Sequence, residues 1–109
     1  MTEIIKWVER LVADELERAN DEFPLFHSKH EAYGVLLEEF REARDEWKMI
    51  VGYMDRIESF TFHDMDEIEI RIARNVAKHH ALYCIAELIQ CVAMLDKWAQ
   101  SEDKWNEVK

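Results

Sequence analysis

Ala81-Leu-Tyr-Cys-Ile-Ala-Glu-Leu-Ile-Gln-Cys-Val-Ala-Met-Leu95 is apolar at every position except Glu87 and Gln90. It lies in a helical pattern running from Asp64 to about Gln100. A helix apolar all round is expected to be enclosed by protein on most sides. Glu87 and Gln90, three apart, project from one side of it. A carboxylate in that setting must be neutralised, paired or bound to a metal. The stretch is 15 residues long and holds a Glu and a Gln, too short and too polar to cross a bilayer.

Two further helices precede it. From Thr2 to about Asn20 the apolar residues Ile4, Val8, Leu11, Val12, Leu16 and Ala19 recur at three- and four-residue spacing. Phe23-Pro24-Leu25-Phe26-His27 ends that helix, because Pro disfavours helix in the residue before it. Ser28-Lys-His-Glu31 has the form of a capping box. Tyr33, Leu36, Leu37, Phe40, Ala43, Trp47, Ile50, Val51 and Met54 then carry an apolar stripe to about residue 54. Residues 55–63 are expected to connect to a second capping box, Asp64-Met-Asp-Glu67. The third helix, at ~36 residues, exceeds the usual globular length, so a break or bend is expected near Lys78–His80. Ile68-Glu-Ile-Arg-Ile72 alternates as a strand would, but has no partner and is read as helix. Ser101 to Lys109 are expected to fray.

The composition agrees with this pattern. The 109 residues suit a single domain, 49% of them are apolar and 35% charged, and Gly occurs twice and Pro once. Turns for a sandwich or barrel are lacking, which leaves an all-α bundle of three main helices. Lys and Arg total 14 against 24 Asp and Glu, a formal net charge of −10. A chain this acidic, with no run of basic residues, is not expected to bind nucleic acid, and no membrane association is expected. Met1–Ala13 does not read as a signal peptide, so a cytoplasmic location is expected. Cys84 and Cys91 would stand ~10 Å apart on one helix, too far for a disulfide. P-loop, Rossmann and nucleophile-elbow motifs do not occur, and no Glu is followed by His three residues on.

On a helical wheel with Glu39 at zero, Leu36, Phe40, Ala43, Trp47, Ile50 and Met54 fall between about 20° and 100°. Glu39, Glu46, Glu42 and Glu38 fall near 0°, −20°, −60° and −100°, so the acids border the apolar stripe at about 100° per residue. If residues 81–95 are the packing neighbour, Glu39, Glu42, Glu87 and Gln90 converge on one cleft. Carboxylates that close require a counter-charge. Oxygen donors alone suit Mg²⁺ or Mn²⁺ before Zn²⁺.

Other readings stand beside this one. Acid pairs at three-residue spacing recur throughout so acidic a chain, as in Asp14/Glu17 and Asp55/Glu58. Glu87 could pair with Arg10, Arg44 or Lys97, and Gln90 could make a core hydrogen bond across a helix interface. His80, Cys84, Glu87 and Cys91 share one helix face and would suit a soft metal. Trp7, Trp47 and Trp98 are expected to be core or interface anchors.

Glu39-x-x-Glu42, preceded by Glu38 and followed by Glu87-x-x-Gln90 in an apolar helix, resembles the all-α nucleoside triphosphate pyrophosphohydrolases of the MazG type, relatives of the dimeric dUTPases. Residues 28–43 carry the likeness most closely, and it extends to about Trp98. The resemblance implies hydrolysis of an NTP or dNTP to the monophosphate and pyrophosphate, with Mg²⁺ (or Mn²⁺) held by Glu39, Glu42 and Glu87. Gln90 stands where the family has Asp, bringing an amide in place of a charge. Glu38 or Glu46 would serve as the base or as support for the site. Lys97 would meet phosphates, ahead of Lys78 or Arg74. A homodimer or homotetramer is expected, both from the family and from the need to cover residues 81–95. The rival is a non-catalytic helical module, binding a nucleotide or a partner, in which Gln90 marks a degenerate metal site.

Overall fold

Pro24 and a turn at residues 63 and 64 separate three helices, α1 (Thr2–Glu22), α2 (Lys29–Phe62) and α3 (Glu67–Glu107). The computed structural model describes residues 1–64 and 66–107, and no strand occurs among them. Phe23 is extended, with φ −134° and ψ 147°, as a residue before Pro requires, and its N–H closes the last turn of α1 on the Ala19 carbonyl at 2.9 Å. Ser28 Oγ accepts from the Glu31 N–H at 3.2 Å, which caps α2. Glu31 Oε2 accepts from the His27 N–H at 3.3 Å, one residue before the amide a reciprocal capping box would use.

Four expectations are corrected. Residues 55–62 are the last two turns of α2, not a connection. They contain no Gly or Pro, and Ile57 and Phe60 continue the half-buried line of Ile50 and Tyr53. The cap of α3 is Asp66, whose Oδ1 accepts from the Ile68 N–H at 3.0 Å, while Asp64 takes a left-handed φ of 49° in the turn. Met65, in the expected capping box, lies outside the described residues. No interruption occurs at Lys78–His80, where nothing in the sequence removes a helical hydrogen bond. Residues 101–107 are helical, anchored by Ser101, which is fully buried; residues 108 and 109 lie outside the described residues.

The chain divides into two units, Met1–Phe40 with Glu87–Lys109, and Arg41–Ala86. The first contains α1, the start of α2 and the end of α3. Its core gathers Val12, Ala19, Phe26, Ala32, Ala93 and Met94, with Leu16, Val35, Ile89 and Trp98 packed against them. Polar pins fix the loop before α2. Phe26 donates its N–H to Ser101 Oγ at 2.9 Å, Ser101 donates to the Lys97 carbonyl at 2.7 Å, and Trp105 Nε1 donates to the Phe26 carbonyl at 2.8 Å.

The second unit is an antiparallel helical pair around Ala43, Ala73, Ala77 and Cys84. Cys84 Sγ donates to the Ala43 carbonyl at 3.6 Å, and Tyr53 stacks on His80 with ring centroids 6.0 Å apart. Such contacts require small side chains at the helix interface.

The face of α2 turned inward is therefore not the stripe of large side chains. Ala32 and Ala43 are buried and Glu39 and Glu46 half-buried, whereas Tyr33, Phe40, Trp47, Val51 and Met54 are exposed. Glu39 and Glu46 sit within the inward face instead of bordering it. Residues 81–95 depart from expectation in the same way. Leu82, Tyr83, Ile85, Leu88, Val92 and Leu95 are 41–56% exposed, so the chain by itself does not enclose this stretch. Trp98 packs on the core, but Trp7 and Trp47 are exposed. Among the described residues, no helix is long and apolar enough to cross a membrane.

Candidate metal centre

Glu39 is half-buried on α2, and Glu42 is exposed one turn further along the same helix. Three residues apart on one helix, the two acids project from the same side of it. Glu87, half-buried on α3, brings a carboxylate oxygen within 4.8 Å of Glu39. Opposite oxygens around a Mg²⁺ ion stand ~4.2 Å apart, twice a metal–oxygen distance of ~2.1 Å, so carboxylates at the 4.8 Å limit would have to draw closer to share a hard cation. The donor set fits such an ion, being carboxylate oxygen throughout.

Gln90, one turn from Glu87, completes the group. Its amide orientation is fixed by the two acceptors that face it. The NH₂ donates to Glu39 Oε2 at 2.8 Å and to Glu87 Oε2 at 3.0 Å. Gln90 thus makes the hydrogen bond across a helix interface that was one of its two expected roles. It also ties together two of the candidate metal ligands.

Glu39 and Gln90 form one end of a cleft of about 370 Å³ within the first unit. Two helical ridges wall it, Glu31, Val35 and Glu39 on α2 and Gln90, Met94 and Lys97 on α3. The ends of the α2 ridge are eight residues apart, ~12 Å of helix, and those of the α3 ridge seven, ~10 Å. The cleft therefore has a carboxylate end and a lysine end. Phe23, Pro24 and Phe26 of the loop and Glu15, Arg18 and Ala19 of α1 complete the lining.

Lys97 is only 2% exposed. Its Nζ lies 5.1 Å from the centre of the Phe26 ring and donates to the Phe23 carbonyl at 3.5 Å. Burial pushes its amine below the ordinary Lys range, and the Glu31 carboxylate partly opposes the shift. On α1, Arg18 bonds Glu15 and Glu22, each at 2.5 Å, and holds the Glu15 carboxyl below its ordinary value.

Within the first unit the structure thus gathers Glu39, Glu87 and Gln90 and places Lys97 at the far end of the adjoining cleft, while Glu42 lies at the start of the second unit. Glu38 is exposed outside that lining. Glu46 lies in the second unit, where its Oε2 is 2.6 Å from His80 Nδ1. Arg74 and Lys78 are exposed on that unit. Among the described residues, His80, Cys84 and Cys91 form no metal-holding group of the kind that the three glutamates do. Sequence reasoning missed Phe26, Glu31 and Arg18 as cleft residues. The signal available was the apolar load of Phe23-Pro-Leu-Phe26 in a loop, where exposure would be costly. No protein-family model, no curated protein and no solved structure matches this chain.

Proposed function

We propose that the protein is a Mg²⁺- or Mn²⁺-dependent nucleoside triphosphate pyrophosphohydrolase, which cleaves an NTP or dNTP to the monophosphate and pyrophosphate. The observation that carries this reading is the carboxylate of Glu39 within 4.8 Å of that of Glu87, at the end of a cleft within the first unit. Glu39, Glu42 and Glu87 would hold the cation, and Gln90 would contribute a neutral amide. When bound, the ion neutralises phosphate oxygens and acidifies a water. It also reconciles an anionic substrate with a chain of net charge −10. Glu38 or Glu46 would serve as the base or as support for the site; Glu38 is exposed outside the cleft lining, and Glu46 faces His80.

The reading includes self-association as a homodimer or homotetramer, because the exposed apolar side chains of α3 require cover. A cytoplasmic nucleotide pool would be its setting. A second reading has one observation in its favour. Gln90 already satisfies Glu39 and Glu87 with hydrogen bonds, as a non-catalytic nucleotide- or partner-binding module with a degenerate metal site would.

A panel of NTPs and dNTPs, assayed for pyrophosphate with and without Mg²⁺ or Mn²⁺, separates the two. The enzyme reading predicts metal-dependent release that falls to background in Glu39→Gln. No turnover of any nucleotide with either metal favours the module.

A further inference from the structure

Inside the first unit, the Gln90 side chain stands between the Glu39 carboxylate of α2 and the Glu87 carboxylate of α3. A primary amide carries two N–H bonds on one nitrogen, and both are used, at 2.8 Å to Glu39 Oε2 and at 3.0 Å to Glu87 Oε2. The two bonds diverge by ~120°, so acceptors at those distances stand up to about 5 Å apart. A Mg²⁺ ion shared by two carboxylates needs their oxygens no more than ~4.2 Å apart. The amide therefore sets a spacing that suits its own hydrogen bonds and is wider than the ion takes.

The same orientation decides what Gln90 can do for a cation. Nitrogen and oxygen occupy opposite branches of the planar amide. With the NH₂ turned to Glu39 and Glu87, the carbonyl oxygen is on the other branch and reaches an ion between them only if the group turns over. Turning it over strips both carboxylates of that donor. Hydrogen bonds to a charged acceptor are among the stronger ones in a protein. Glu39, Glu87 and Gln90 are all half-buried, so water replaces the amide only in part.

We propose that Gln90 is a latch on the metal centre: in the ion-free protein its amide bridges Glu39 and Glu87, and a divalent cation binds only by displacing it. The inference rests on the metal centre of the pyrophosphohydrolase reading. The bridge relieves part of the repulsion between the two carboxylates and so stabilises the ion-free state. Stabilising that state alone weakens the apparent affinity for the ion in proportion. Once the amide leaves, the carboxylates can close to the span the ion requires. Gln90 thus sets affinity by competition, where a carbonyl ligand would set it by coordination. Removing the side chain has opposite signs in the two cases.

Calorimetric titration of Mn²⁺ compares the full chain with Gln90→Met, which keeps the length of the side chain and removes the donor and the carbonyl together. The latch predicts tighter binding in Gln90→Met, by roughly 10-fold or more, the size of one hydrogen bond to a charged group. Weaker or unchanged binding in Gln90→Met overturns the latch and leaves the metal centre standing. The predicted gain, with no pyrophosphate released from any nucleotide, removes the hydrolase reading and leaves the latch. No saturable binding in either protein removes both.

A second measurement follows the Gln90 NH₂ resonances by NMR in the native chain, first with a chelator and then with Mg²⁺, their identity fixed by their loss in Gln90→Met. Without the ion, both hydrogens should exchange with water more slowly than those of the exposed Asn75 side chain, and Mg²⁺ should remove that protection. Exchange as fast as that of Asn75 in the chelated protein, or protection undiminished at saturating Mg²⁺, overturns the proposal.

Discussion

Gln90 donates to Glu39 and Glu87 through one NH₂ group, which eases the repulsion between two carboxylates without cancelling either charge. Its place beside Glu87 follows from helical spacing. Its orientation does not, since that depends on Glu39 arriving from another helix. Lys97 shows the same limit. In sequence it is one cation among several, whereas in the fold it is 2% exposed beside Phe26. Burial lowers its folded-state pKa below the unfolded value, so the unfolded chain binds more protons between the two, and stability rises with pH across that window. Below the folded pKa the cost of burying the charge is borne in full. Lys97→Met removes that cost, so it should be at least as stable as the native chain at neutral pH. Its advantage should shrink as pH climbs toward the ordinary Lys range. Urea denaturation of both proteins at several pH values checks this, and a difference independent of pH would refute it.

The three helices were legible in the sequence because Pro24 and the Ser28 cap punctuate it and the apolar spacing is helical throughout. The end of α2 was misread, although Ile57 and Phe60 continue its inward line. A polar stretch with Ser59 and Thr61 resembles a connection only when that spacing is overlooked. The inward face of α2 was harder to place. Large aromatic residues look like core in a sequence, but at a close helix interface Ala32 and Ala43 occupy the core and the aromatics are displaced outward. Ser101, assigned to a frayed end, is the clearest case. It accepts from the Phe26 N–H and is fully buried. Ser101→Ala should cost about 1–3 kcal/mol in urea unfolding, because a buried N–H loses its acceptor. An unchanged unfolding free energy would show that the loop is held without it.

In the whole molecule, the buried apolar set is dominated by Ala and Cys, with Val12, Phe26 and Met94 the larger members, while many large apolar side chains are exposed. Tyr33, Leu37, Phe40, Leu88, Val92 and Leu95 line an apolar groove on the first unit. A second copy of the chain is the proposed cover. Light scattering coupled to size exclusion should report a dimer or tetramer, and Leu88→Glu with Val92→Glu should lower the mass toward the 13.1 kDa of one chain. A native monomer at tens of micromolar would contradict this. The cation itself provides the most direct test of the account. Calorimetric titration of Mn²⁺ into the full chain should show saturable binding that Glu39→Gln removes and Glu38→Gln retains. Absence of saturable binding, or identical binding in Glu39→Gln, would contradict a metal centre at these carboxylates.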